Sequence, residues 1–340
     1  MRLRELGITV GRFATGQQNA ITDVPGVQVG HASWQIDQPT VQRTGVTVIF
    51  PRDDVYQKPC YAATDVLNGF GEMTGRTTID EWGVLASPIV LTNTRSVGQG
   101  YEAVFEHFFQ TPGNRTADNS IPLPVVAECD DSFLNDNRQA TPPHVFLEAW
   151  SSAGGGMVKE GAVGAGTGMH LFGYKGGIGT ASRRIAIEDA IYTIGVLVNT
   201  NFGRSEQIRL VAGLDAKRPG QDIRKDGSCI GVLATDAPVW PHELKRLARR
   251  MGLGLGRTGS VGNDTSGELF LAFSTARPDH YAELVQGHGM FTGQFGEDGS
   301  SISDLFEAVV EATEEAVWNA LLQAHTVTGV HGHRLEGFWS

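Results

Sequence analysis

The strongest constraint on the fold is a set of short segments that are almost wholly apolar. G-V-T-V-I-F from Gly45, V-L-A-S-P-I-V-L-T-N-T from Val84, I-Y-T-I-G-V-L-V-N-T from Ile191, S-C-I-G-V-L-A-T from Ser228 and E-L-F-L-A-F-S-T from Glu268 show almost no apolar–polar alternation. A strand with one wet face alternates, so strands without alternation are covered on both sides. Helical patterns between them supply the cover. G-Q-G-Y-E-A-V-F-E-H-F-F, up to Phe109, is an amphipathic helix ended by Pro112-Gly113, and P-H-V-F-L-E-A-W-S-S around Trp150 is a shorter one. H-E-L-K-R-L-A-R-R-M spaces Leu244, Leu247 and Met251 helically, with Gly252 placed as the stop. A long helix is expected to start at Ser303 as N-cap, with Phe306, Val309, Val310, Val317, Ala320 and Leu321 on one face. N-A-I-T-D-V-P-G-V-Q-V-G-H from Asn19 reads as strand-turn-strand about Pro25-Gly26, and Ala216 to Gly227 is composed like a linker. The whole predicts a layered α/β protein.

Charge and motifs remove several function classes. A net charge of -11 without a basic cluster argues against nucleic acid or an anionic membrane as partner. The three cysteines, Cys60, Cys129 and Cys229, are too scattered for a disulfide framework or a zinc site and suit a reducing compartment. M-R-L-R-E-L-G-I-T-V lacks a signal-peptide stretch, and no run approaches membrane-spanning length, so the expected location is cytoplasmic. G-L-G-R-T-G, Gly254 to Gly259, matches the dinucleotide fingerprint but follows a helix and precedes a strand, the reverse of a nucleotide site; it is read as a helix-stop loop. The His331 and His333 pair is read as a solvated tail. No metal or cofactor is expected.

One junction stands apart. The charged run A-K-R-P-G-Q-D-I-R-K-D-G ends at Gly227, and a buried strand begins abruptly on Ser228. Asp-Gly-Ser is ordinary turn chemistry. It also suits self-cleavage: a serine hydroxyl can attack the preceding carbonyl, and glycine there puts no Cβ in the way. Cleavage would leave Ser228 with a hydroxyl and a free α-amine, whose pKa of about 7.7–8.0 makes it a base near neutrality without a histidine.

N-A-I-T-D-V-P-G-V-Q-V-G-H, P-I-V-L-T-N-T-R-S-V-G, G-A-G-T-G-M, K-G-G-I-G-T-A-S-R and D-G-S-C-I-G-V-L-A-T-D-A-P together resemble, in order, the signature segments of the DmpA-type self-processing aminopeptidases. That family comprises L-aminopeptidase/D-esterases and β-aminopeptidases. The resemblance implies a single αββα-sandwich domain over residues 1–340, cleaved between Gly227 and Ser228 into chains 1–227 and 228–340. It implies removal of the N-terminal residue (L-α, D-ester or β) from short peptides, amides or esters, by a homotetramer or other homo-oligomer without cofactor.

By the same resemblance Ser228 matches the nucleophile, Asn201 the oxyanion-hole asparagine, and Ser266 and Glu268 the pair that assists the nucleophile. Read without it, Asn201 is a strand-end turn residue and Glu268 a solvated strand-end glutamate. A-E-C-D-D-S-F-L-N-D from Ala127 resembles the pocket-lining segment, with Glu128 the first candidate for the substrate ammonium and Asp131 the second. Asp130 stands where the family carries a tyrosine; an ionised carboxylate there cannot donate to an oxyanion and would repel it. Three alternatives stay open: an amide-oligomer hydrolase related to the nylon-oligomer enzymes (where the nucleophile is threonine), an acyltransferase like ornithine acetyltransferase, and an uncleaved binding protein with an acidic cation pocket.

Overall fold

The structure, a computed structural model, describes residues 1–114, 121–187, 189–216, 220–223, 227–276 and 302–339. In chain order its described strands are β1 (Gln28–Ile36), β2 (Gln42–Phe50), β3 (Cys60–Gly69), β4 (Val84–Leu85), β5 (Ile89–Asn93), β6 (Val125–Cys129), β7 (His170–Leu171), β8 (Tyr174–Lys175), β9 (Gly177–Ile187), β10 (Ala190–Asn201), β11 (Ser228–Thr235), β12 (Gly267–Ser274), β13 (Val327–Thr328) and β14 (Arg334–Leu335). Its main helices are α1 (Arg76–Trp82), α2 (Val97–Gln110), α3 (Pro143–Ser151), α4 (Pro241–Thr258) and α5 (Ile302–Gln323).

The unalternating strands form two stacked sheets, ordered β1-β2-β5-β6 and β4-β3-β12-β11-β10-β9. Pairing is antiparallel except for β5 with β6 and β11 with β12. Three apolar clusters account for the layers. Ile49, Leu91 and Ala127 of the first sheet meet Leu197, Ile230, Val232 and Leu271 of the second between the sheets. Val46, Val90 and Val126 look outward to Val104 of α2 and Phe146 of α3. Val196, Leu233 and Phe270 look outward to Leu247 of α4 and Val317 of α5. Each central strand therefore buries both faces, which is why its sequence does not alternate. The result is the expected αββα sandwich.

Four local expectations change. The segment before Pro25 is a 3-10 turn (Ile21–Asp23) rather than a strand, because Asp23 Oδ1 and Oδ2 accept from the Gln18 and Ala20 N–H groups and curl the chain. Val84 to Thr94 breaks into β4 and β5, which belong to different sheets. Helix α4 runs through Gly252 and Gly254 and stops at Gly259, whose φ of 113° is left-handed. Gly254 is there for contact with α5, since a Cβ on it would lie 2.5 Å from Thr313 Cβ. Ser303 lies inside the first turn of α5 rather than capping it. Of the linker-like stretch, residues 217–219 and 224–226 lie outside the described residues. No described helix is long and apolar enough to cross a membrane.

One ion network joins the two sides of the Gly227–Ser228 bond. Arg183 on β9, fully buried, meets Glu311 at 2.9 Å and Glu315 at 2.8 Å on α5 and also donates to the Val10 carbonyl. Arg4 adds a second cation on Glu315 at 3.0 Å. Removing one member of such a network strands buried charge. Arg183→Met is expected to lose about 3–5 kcal/mol in denaturant unfolding; a loss under 1 kcal/mol would mean that Arg4 and water suffice for both glutamates.

Candidate active site

Ser228 is the first residue of β11, placed between two neighbours by strand register. Asn201, the last residue of β10, pairs with it on one side and Gly267, the first of β12, on the other. Ser228 shares its face of the strand with Ile230 and Val232, so its side chain belongs to the gap between the sheets. Asn201 shares that face with Leu197. Ser228 is 4% exposed, and among the described residues its hydroxyl has no partner at hydrogen-bond geometry. The Cys129 thiol lies beside it, with its own contact at 3.7 Å to the Asn199 carbonyl, and burial pushes that thiol's pKa up. A buried hydroxyl without a partner is costly unless something else uses it.

Gly227 is required for space. A Cβ there would stand 1.6 Å from the Asn201 carbonyl oxygen, while the backbone is not left-handed. The absent Cβ thus serves a close approach of two strands, not an unusual torsion. The Gly227 carbonyl oxygen accepts from the Gly267 N–H at 3.0 Å.

Asn201 is fixed by backbone partners. Its Oδ1 accepts from the His170 N–H at 3.1 Å and its Nδ2 donates to the Asp130 carbonyl at 2.9 Å. One of the two amide hydrogens is thereby used, and among the described residues the other has no acceptor. Asn201 does end its strand, but it is buried, at 3% exposure, with both ends of its amide held.

Ser266 and Glu268 are also buried, at 1% each. Ser266 Oγ donates to Glu268 Oε1, and Asn68 Nδ2 donates to Oε2 at 2.9 Å. Burial raises the Glu268 pKa against the lowering effect of those two donors. Asn68, on β3, carries no sequence signal: it reaches the site because β3 pairs with β12 opposite Glu268.

Glu128 is the next-to-last residue of β6, at 5% exposure. Its Oε1 accepts from the Glu72 N–H at 3.0 Å and its Oε2 from Thr94 Oγ1. Burial raises its pKa, and Asp130 and Glu72 raise it further. Among the described residues no Lys or Arg forms an ion pair with it. A Cβ on Gly71 would lie 3.4 Å from Glu128 Oε1 and 3.7 Å from Gly267 Cα, so one glycine separates this carboxylate from the strand end beside Ser228. A cavity of about 290 Å³ opens there, lined by Gly69, Gly71, Met73, Thr74 and Leu269 among others.

Asp131 is enclosed by polar side chains. It is 0% exposed, its carboxylate is held by Asn93 Nδ2 at 3.1 Å and Asn135 Nδ2 at 3.1 Å, and burial pushes its pKa up to about 7. Asp130 turns its exposed carboxylate to the Ser132 N–H at 2.9 Å and Asn137 Nδ2 at 3.1 Å. The part of Asp130 that meets Asn201 is its backbone carbonyl.

This geometry has known counterparts. The profile of peptidase family S58 matches residues 19–335. The chain is 39% identical to the beta-peptidyl aminopeptidase BapA of Sphingosinicella microcystinivorans, covering 98% of this chain and 89% of that protein. Among solved structures it resembles a Burkholderia sp. beta-aminopeptidase, with TM-score 0.84, 38% identity and coverage of 99% of this chain and 95% of the other. It also resembles the L-aminopeptidase D-Ala-esterase/amidase of Ochrobactrum anthropi, described as a variant of the N-terminal-nucleophile hydrolase fold, with TM-score 0.83, 36% identity and coverage of 99% and 95%. Sequence profile, sequence relatives and structural relatives agree over nearly the whole length, and the chain belongs to peptidase family S58, as an aminopeptidase of the layered α/β kind its motifs implied.

Proposed function

We propose that the chain cuts itself between Gly227 and Ser228, and that the new N-terminal serine removes the N-terminal residue from short peptides, amides or esters. The observation that carries this reading is Ser228 itself: a buried hydroxyl without a partner among the described residues, at the first position of a central strand, with Asn201 paired directly opposite. In turnover Ser228 Oγ attacks the substrate carbonyl, and the α-amine of the same residue takes its proton and passes it to the leaving group. The spare Asn201 N–H donates to the oxyanion. Ser266, its hydroxyl held by Glu268, offers an acceptor to the serine ammonium. Water then releases the acyl group.

Glu128 supplies the requirement for a free amine. A buried carboxylate with acidic neighbours and no basic partner is unfavourable until a cation arrives, and a substrate ammonium is such a cation. Asp131, enclosed by two asparagines, suits a structural role better. The beta-peptidyl relatives favour β-amino acids at the substrate N-terminus. The test compares β-homoalanine and L-alanine p-nitroanilides on wild type and Glu128→Gln. Wild type is expected to prefer the β-substrate. Losing one charged hydrogen bond should raise KM about tenfold to a hundredfold with kcat less affected. Preference for L-alanine would remove the β-specificity, and an unchanged KM would remove Glu128 from ammonium binding.

A further inference from the structure

The carbonyl of the bond proposed for cleavage already accepts a hydrogen bond from the neighbouring strand β12. Resting on the self-cleavage reading above, we infer that the Gly267 N–H is the oxyanion donor of the cutting step, separate from the Asn201 amide that serves turnover.

The carbonyl that Ser228 would attack is that of Gly227, and its oxygen points across the sheet to β12, where the Gly267 N–H lies 3.0 Å away. Asn201 is on the other neighbour, β10, with its side chain on the inter-sheet face and one amide hydrogen spent on Asp130. The two donors therefore flank Ser228 from opposite strands. A donor is worth most where it is fixed before charge develops. Gly267 is fixed twice: by its parallel register with Ser228 and by Phe70, whose carbonyl oxygen would stand 2.4 Å from any Cβ added at 267. Gly227 is pressed from the other side by the Asn201 carbonyl. The peptide to be cut is thus packed between its donor on β12 and the end of β10.

The chemistry balances without a further reagent. Ser228 Oγ bonds to the Gly227 carbonyl carbon, and the electron pair moves onto the oxygen facing Gly267. Collapse breaks the C–N bond, with the hydroxyl proton ending on the Ser228 nitrogen. Water then adds to the ester, giving a Gly227 carboxylate and restoring the Ser228 hydroxyl. Once the new carboxyl end leaves, Gly267 N–H loses this acceptor, and the mature site relies on Asn201.

The test removes that one hydrogen. Glycolic acid placed at 267 by cell-free translation replaces the N–H with an ester oxygen and adds no Cβ. Cleavage should slow about a hundredfold or more, while the fraction that matures keeps the wild-type kcat. Cleavage at the wild-type rate would overturn the inference while leaving self-cleavage intact; a wild-type chain that is never cut would instead sink the reading beneath it. A second comparison needs no change at 267. In uncut Ser228→Ala the Gly267 amide hydrogen should exchange slowly, and in cleaved wild type quickly. Equal exchange in both would overturn the inference even if the ester chain failed to fold.

Discussion

Ser228→Ala is expected to remain one chain of 340 residues and to lose aminopeptidase activity by at least about four orders of magnitude. The variant removes the attacking oxygen of both steps at once: without it the peptide bond stays closed, and without cleavage there is no α-amine to act as base. Among the described residues, the neighbouring thiols and hydroxyl are poorly suited to substitute. Cys229 faces the helix layer, where burial raises its pKa, and the Cys129 thiol is fully buried with its pKa likewise raised. Ser266 spends its hydroxyl hydrogen on Glu268. The substitution should leave folding intact, because among the described residues the lost hydroxyl has no partner at hydrogen-bond geometry. Intact mass and N-terminal sequencing decide the matter. Wild type should give two fragments, the smaller beginning S-C-I-G-V, and the variant one chain with an unchanged Tm. A variant still cut at this bond would move the nucleophile elsewhere, and an intact wild type with full activity would take the free amine out of the mechanism.

The layers were legible because they are a property of whole segments. S-C-I-G-V-L-A-T has no wet face, and in the structure all of β11 is buried, alternating between the inter-sheet and helix-side cores. What failed was local. Gly252 and Gly254 read as a stop because glycine is a poor helix former, yet contact with α5 outweighs propensity and α4 continues to Gly259. Asp23 curls the chain through side-chain bonds to N–H groups within five residues, which no apolar period reveals. At the site, sequence marked groups by their chemistry and could not mark backbone. The His170 N–H, the Asp130 carbonyl and the Gly267 N–H belong to segments distant in sequence and acquire roles only when the fold brings them together. Asp130 shows the difference most clearly: its carboxylate suggested a repulsive charge, while it is the peptide carbonyl that holds Asn201.

Asn201→Ala is expected to lower kcat by about a hundredfold to a thousandfold, the usual cost of one oxyanion donor. The amide is well placed for that function because both of its ends are held, by His170 at 3.1 Å and Asp130 at 2.9 Å, so no reorientation is needed as charge develops. The same two bonds complicate the variant. Alanine strands a buried N–H and weakens the tie between β10 and the Asp130 turn, at a cost of about 1–3 kcal/mol in stability. Kinetics at a temperature well below the variant's Tm separate the two effects, since a folded protein lacking only its oxyanion donor should show reduced kcat with KM nearly unchanged. Self-cleavage provides the sharper discrimination. The Gly227 carbonyl already has Gly267 as donor and faces away from β10, so maturation of Asn201→Ala should proceed close to the wild-type rate while turnover falls. Equal losses in both would mean that a single oxyanion site, built on Asn201, serves the cutting of the chain and of its substrates alike.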